Sequence, residues 1–208
     1  MRWSPSCEKE QRVIKQAKSE YPVQEIVAKR WSPYAFANRD VSDDDLRSLF
    51  EAARWAPSSY NEQPWSYIVA TRAQKSEFER LLSCLLEGNQ VWAKAASVLA
   101  LSVARLNFKR NGKPNKAAIH DLGLAAGGLL YEATARGLCV HQMIGIDPQR
   151  ARELYKIPEG SEAVTGIAIG YAGAPDSLPE QLKQRDLAPR ERNPLRDFVF
   201  AGVWGDPL

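Results

Sequence analysis

Three short stretches of the 208-residue chain carry side chains whose types and spacing could hold a polar, partly anionic small molecule. The first, Lys29-Arg30-Trp31-Ser32-Pro33-Tyr34-Ala35-Phe36, sets a guanidinium and a hydroxyl two residues apart where a helix gives way to an extended segment. Charge-assisted donation from such a pair suits a phosphate or the polar edge of a flavin. The second, Pro57-Ser58-Ser59-Tyr60-Asn61-Glu62-Gln63-Pro64-Trp65, crowds two hydroxyls and two carboxamides between prolines at a helix-to-strand junction. Neutral amides and hydroxyls, with backbone N–H groups, match the pyrimidine edge and ribityl chain of a flavin, which are polar but mostly uncharged. In the third, Pro189-Arg190-Glu191-Arg192-Asn193-Pro194, alternate residues of an extended chain point the same way. Both arginines then converge, and two guanidiniums can fork a phosphate.

Taken singly, each stretch has a plainer reading: a surface arginine beside a Ser-Pro turn, a capped turn, a solvated connector. Other chemistries find less support. No Gly-x-Gly-x-x-Gly follows a strand, and there is no Gly-x-x-x-x-Gly-Lys phosphate loop or Gly-x-Ser-x-Gly elbow. Gly123, Gly127 and Gly128 sit in an apolar helical stretch, where small residues allow close helix packing. His120-Asp121 is a candidate proton relay without a nucleophile at recognisable spacing. Cys7, Cys84 and Cys139 are an odd, scattered set, and with only His120 and His141 beside them no metal site is expected. Twenty-eight basic and 25 acidic residues, well mixed, leave a net charge of +3 and no basic stripe for nucleic acid, although a local arginine cluster would attract phosphorylated small molecules. The polar N-terminus lacks a secretory core, and no apolar run approaches the ~20 residues a bilayer span needs. A cytoplasmic protein with no membrane partner is expected.

These stretches need elements to position them. Residues 6–20 read as a solvated helix or frayed lead-in, dispensable for chemistry, and residues 1–22 as a unit before the main domain at 23–208. Val23, Ile26 and Val27 predict a first core helix ending near Arg30. Ser42 with Asp45 three residues on predicts a capped helix whose Leu46, Leu49, Phe50 and Ala53 share a face. A strand follows from Trp65 to Ala70, then a helix from Gln74 to Leu86 and a buried strand over Ala95–Val103. The segment from Lys109 to Lys116 reads as a loop. Ile119–Arg136 reads as a helix apolar almost all round, deeply buried or at a subunit interface. Strands over Leu138–Ile144 and Ala163–Tyr171 flank a helix from Pro148 to Tyr155. Pro175–Pro194 reads as a polar connector and Phe198–Ala201 as strand-like. This is one α+β domain without Rossmann repetition.

Together, in this order and spacing, the three stretches make the chain resemble the nitroreductase family over about residues 23–205. The family's Pro-Ser-Ser-x-Asn-x-Gln-Pro-Trp is matched by residues 57–65, and its opening basic-Ser-aromatic motif by Arg30-Trp31-Ser32-Pro33-Tyr34-Ala35-Phe36. Gly137-Leu138-Cys139-Val140-His141-Gln142-Met143-Ile144-Gly145-Ile146-Asp147 resembles the family strand whose glycine lies over flavin N5, and Ile157-Pro158 and Ile167-Ala168-Ile169-Gly170-Tyr171 also match. The resemblance implies a central mixed β-sheet wrapped by helices, with a C-terminal arm, Phe198 to Trp204, crossing to the partner of a homodimer. It implies bound flavin mononucleotide (FMN), reduced by NADH or NADPH and reoxidised by a nitroaromatic, quinone or similar electron-poor acceptor in a ping-pong exchange. Relatives that use the same fold for dehalogenation or flavin fragmentation, and a non-enzymatic FMN-binding protein, are the alternatives.

By the same resemblance, Arg30, Trp31 and Ser32 would hold FMN from one subunit, with Arg190 and Arg192 on its phosphate. Pro57, Ser58, Ser59, Asn61 and Gln63 would reach that flavin from the partner, and the backbone at Ile144-Gly145 would face N5. No side chain is assigned as acid or base, and the stretch from Arg105 to His120, with Phe108, would form the substrate wall. Where many members carry Arg or Lys two residues after the serine, near flavin N1 and O2, this chain has Tyr34. A phenol donates a hydrogen bond without charge, so the reduced flavin should be stabilised less, by ~1 kcal/mol in a partly desolvated site, and the reduction potential should fall.

Overall fold

The computed structural model describes residues 15–208, and its elements begin where local chemistry dictates. Helix α1 (Glu25–Lys29) is a single short turn with its two end residues in an i,i+4 ion pair at 2.5 Å. In α2 (Asp43–Arg54) the Ser42 hydroxyl accepts from the Asp45 N–H at 3.1 Å, and three aspartates in the first turn oppose the helix dipole. Leu49 and Ala53 are buried, with Leu46 and Phe50 packed beside them.

Four strands follow: β1 (Trp65–Thr71), β2 (Val98–Arg105), β3 (Cys139–Met143) and β4 (Ser161–Gly170). They pair in the order β1-β2-β4-β3, every neighbour antiparallel. β2 is central and buried up to its last residue, which explains its near-continuous apolarity. Its alternate side chains serve two cores. Val98 and Ala100 face Leu49 of α2 and Leu129 of α5 (Ala118–Ala135). Leu99 and Leu101 face Phe78 and Leu81 of α3 (Lys75–Leu82), Trp92 of α4 (Glu87–Ala93) and Ala151 of α6 (Pro148–Tyr155). At the bulge between Ser102 and Val103 the Ser102 hydroxyl bonds Thr165 Oγ1 at 2.7 Å, so a buried polar group in the central strand is satisfied. Helix α7 (Glu180–Leu187) closes the chain before its exposed tail.

Gly128 of α5 has a packing reason: a Cβ there would stand 2.9 Å from the Ala52 carbonyl oxygen of α2, so only glycine lets these helices approach so closely. Gly123 and Gly127 have open space beside them.

Several expectations are corrected. The sheet is antiparallel throughout the described residues rather than mixed. The first helix is shorter than 23–30 and contributes only Ala28 to the core, since Val23 and Val27 are exposed. The helix expected over 74–86 stops at Leu82, and a separate α4 carries Trp92 into the core. α5 is buried along one face only; Ile119, Leu124 and Tyr131 stand exposed on the other. The 175–194 connector contains α7, whose low apolar content hid it. Phe198–Ala201 is not a strand, Phe200 making only an isolated bridge to Pro207. Residues 15–19 are not helical, and the rest of the expected lead-in helix, residues 6–14, lies outside the described residues.

Candidate functional site

The basic residues of the first and third stretches come together. Arg30 leaves α1 beside Tyr131 of α5 and Cys139 of β3, and its Nη1 donates to Ser32 Oγ at 3.0 Å. Arg190 and Arg192 return from the end of the chain to the same place. Burial lowers the Arg30 guanidinium's pKa, and the nearby Arg192 lowers it further; Arg190 is lowered by burial and then by Arg30 and Arg192. Two partly buried guanidiniums, Arg30 and Arg190, with the exposed Arg192 beside them, form a site that favours an anion. Arg190 Nη1 is fixed by the carbonyls of Ala28 (2.6 Å) and Lys15 (2.9 Å), while its Nε is buried with no partner among the described residues. Trp31 is buried, with the Lys15 ammonium 5.2 Å above its ring.

Lys15 lies in the segment read as dispensable, and it belongs to this cluster: Nζ donates to Ala188 O at 2.7 Å, and burial, followed by Arg190, lowers its pKa against the opposing pull of Asp186. Asp186 is the other residue missed. It is buried in α7, and its Oδ1 accepts from the Tyr34 N–H at 2.6 Å. That contact spans 152 positions and has no local signature.

From Arg30 the chain runs along the edge strand β3. Arg30 lies near Cys139, and the Pro33 carbonyl meets His141 Nδ1 at 2.9 Å. Neutral imidazole donates through Nδ1 here, and burial lowers the His141 pKa. The Tyr34 ring sits edge-on to Trp92 (5.2 Å) and His141 (4.8 Å), so the aromatic body of this residue packs against the core. At the far end of β3, Ile144 is 85% exposed and Gly145 follows it. The Gly145 carbonyl accepts from Leu86 N (3.0 Å) and Asn89 Nδ2 (2.9 Å), which fixes the peptide. A Cβ on Gly145 would fall 2.4 Å from Asn89 Nδ2.

The second stretch forms a strained turn. Tyr60, Asn61 and Gln63 all have positive φ, 54°, 54° and 48°, a left-handed conformation costing ~1–2 kcal/mol for each such residue. Anchors hold it there. The Ser58 hydroxyl accepts from Gln63 N at 3.0 Å, and Gln63 Nε2 donates to Asn61 Oδ1 at 3.0 Å. Pro57 ends the preceding helix and Pro64 is fully buried. Ser59 N donates to the buried Asp121 Oδ2 at 2.9 Å, and His120 meets the other oxygen at 3.0 Å. That pair therefore holds the loop. Glu62 is gripped by Arg105 Nη2 (3.0 Å) and Lys109 N (3.1 Å), which leaves Asn61 and Gln63 beside an open cleft of ≈ 510 Å³ with Lys109 and Arg110 on its rim.

Within the protomer the two halves stand apart. The loop docks at Asp121 and Arg30 lies near Tyr131, ten residues along α5, about 15 Å at the rise of an α-helix. Among the described residues no group of three or more His, Cys, Asp or Glu could hold a metal ion, and no helix is long and apolar enough to cross a membrane.

The chain is similar to known proteins. Residues 27–171 match the family model described as the nitroreductase family. A solved structure described as an oxidoreductase containing FMN is 35% identical, with a TM-score of 0.86 over 91% of this chain and 96% of its own. The major NAD(P)H-flavin oxidoreductase of Aliivibrio fischeri is 27% identical over 183 residues, 69% of this chain and 82% of that protein. A nitroreductase family protein from Clostridium difficile, 22% identical with a TM-score of 0.66 over 86% of this chain and 96% of its own, shares the fold.

Proposed function

The chain belongs to the nitroreductase family, and from that premise we propose that it is an FMN-dependent oxidoreductase that works as a homodimer, takes electrons from NADH or NADPH, and delivers them to an electron-poor acceptor. The carrying observation is the cluster of Arg30, Arg190 and Arg192, whose repulsion and buried, unpartnered Arg190 Nε call for a multivalent anion such as a phosphate monoester. The residues fit the cofactor. Arg190 and Arg192 would hold its phosphate, with Arg30, Trp31, Ser32 and Tyr34 along its length. When bound, FMN supplies the redox chemistry, accepting a hydride from the nicotinamide and passing electrons to a nitroaromatic, quinone or similar acceptor that takes the nicotinamide's place.

This chain's residues position and tune. The carbonyl of Gly145 is locked by Leu86 and Asn89. The Gly145 N–H, on the preceding peptide, has no acceptor among the described residues and is left to donate toward the flavin's N5 edge. The neutral loop groups Ser58, Ser59, Asn61 and Gln63, with Pro57 shaping the entry, would complete the site from the partner subunit. Support for a site shared between subunits is the ~15 Å that separates the loop's dock from Arg30 within one protomer, together with the exposed Ile119, Leu124 and Tyr131 on the outer face of α5. No acid or base side chain is required, because hydride transfer needs alignment above all.

The test is a visible spectrum of the purified protein followed by anaerobic titration with NADPH and NADH. A flavin spectrum that bleaches with nicotinamide and returns with a nitroaromatic or quinone, from a particle of dimer mass, is expected. A colourless protein that cannot be loaded with FMN would overturn the reading.

A further inference from the structure

The segment from Lys109 to Lys116 carries Lys109, Arg110, Lys113 and Lys116 with no acidic residue, and it is a built hairpin. Phe108 N bonds Lys113 O at 2.8 Å, Gly112 N bonds Phe108 O at 2.9 Å, and Asn107 bridges Pro114. All four cations are exposed, and among the described residues none has an ion pair. Glu62, the carboxylate facing the cleft, is already joined to Arg105 at 3.0 Å. Arg110 is held ready: its guanidinium lies 4.4 Å from the Tyr60 ring centroid and 5.1 Å from that of Phe108, and the two rings meet edge to face at 6.0 Å. Such stacking limits the arginine's rotamers while leaving its N–H donors free for an anion.

We infer that this hairpin reads the 2′-phosphate of NADPH, making the enzyme selective for NADPH over NADH. The inference rests on the flavin reading above. Lys109 and Arg110 share one cleft with Asn61 and Gln63, so wherever the loop meets a flavin the basic rim comes with it. A dinucleotide stacking its nicotinamide on that flavin leaves its adenosine half outside, on the rim. Electron-poor acceptors carry no obligatory charge, whereas the hydride donor is always anionic. NADPH differs from NADH by one phosphate monoester of roughly −1.5 to −2 charge, and unpaired cations discriminate that group.

The test uses FMN-loaded protein, wild type and the double variant Lys109→Ala, Arg110→Ala, each checked for flavin content and thermal unfolding. Calorimetry with 2′,5′-ADP and 5′-AMP measures binding, and anaerobic flavin reduction measures the NADPH/NADH ratio of kcat/KM. The wild type is expected to bind 2′,5′-ADP at least about tenfold more tightly than 5′-AMP, a factor equal to ~1.4 kcal/mol. The double variant should lose most of that preference and the same factor in the kcat/KM ratio. Arg110→Glu should reverse it. Flavin-loaded wild type indifferent to the 2′-phosphate, or a double variant that keeps the preference, overturns this inference alone; wild type without flavin overturns it together with the reading beneath it.

Discussion

The Ser59 N–H donates to Asp121 Oδ2 at 2.9 Å, which ties the strained polar loop to the first turn of α5. Asp121→Ala leaves that N–H partly buried without an acceptor, at a cost of about 1–3 kcal/mol, a Tm drop of roughly 2–12 °C in a chain this long. Asp121→Asn keeps an acceptor oxygen and should lose less. Thermal unfolding and FMN titration of both variants check this, with FMN affinity falling in the same order. Equal losses in the two would mean that the carboxylate's charge, and not its hydrogen bond, holds the loop.

Removing a cation from the arginine cluster should move stability and affinity in opposite directions. Arg192 lowers the pKa of both Arg30 and Arg190, and its own hydrogen bond goes to the adjacent Glu191 carbonyl. Arg192→Met should leave the flavin-free protein as stable as the wild type or more so, because repulsion is relieved, yet weaken FMN binding by about tenfold, the worth of ~1.4 kcal/mol. Denaturant unfolding of the apoprotein and fluorescence titration with FMN separate the two effects.

His141 gives a pH signature. Burial holds its pKa in the folded protein below the ordinary value near 6.5. Above that pH both folded and unfolded chains carry a neutral imidazole and the residue contributes nothing. As pH falls below it, the unfolded chain takes up a proton that the folded one refuses, so stability declines until the lower folded pKa is reached. Tm should therefore fall in the wild type as the pH drops below about 6.5. His141→Gln, which retains a donor for Pro33 O, should flatten that part of the curve; an unchanged slope would assign it to other groups.

Gly128→Ala opposes two effects. Alanine gains up to about 1 kcal/mol in an α-helix, but the new Cβ would lie 2.9 Å from the Ala52 carbonyl oxygen, which is backbone and cannot swing away. Overpacking of this kind costs about 1–3 kcal/mol, so the clash wins and Tm should drop by several degrees.

Much of this architecture was legible where residues act on close neighbours. Ser42 with Asp45 announced α2, Pro148 opened α6, and the apolar run ending in Val103 marked the buried β2. The polar loop was readable because two prolines bracket it, although its left-handed Tyr60 and Asn61 were not, since the anchor at Asp121 lies 62 positions away. α7 was missed because it buries little; Asp186, its buried residue, works by accepting the Tyr34 N–H. The arginine cluster was foreseen through the family motif, whereas Lys15 joined it through a contact to Ala188, 173 positions on, that no local pattern encodes.

The central ladder sets a schedule for synthesis. β2 can zip to β1 as soon as both have left the ribosome, but its other edge must wait for β4, whose register partners begin some sixty residues later, with Ser161 opposite Arg105 and Ile169 opposite Val98. At a translation rate of about 5–20 residues per second that is a delay of roughly 3–12 s. Through that interval the most apolar strand of the protein has an open flank, which makes the half-made chain a client for chaperones and the Val98–Ala104 segment the point from which misassembly would start.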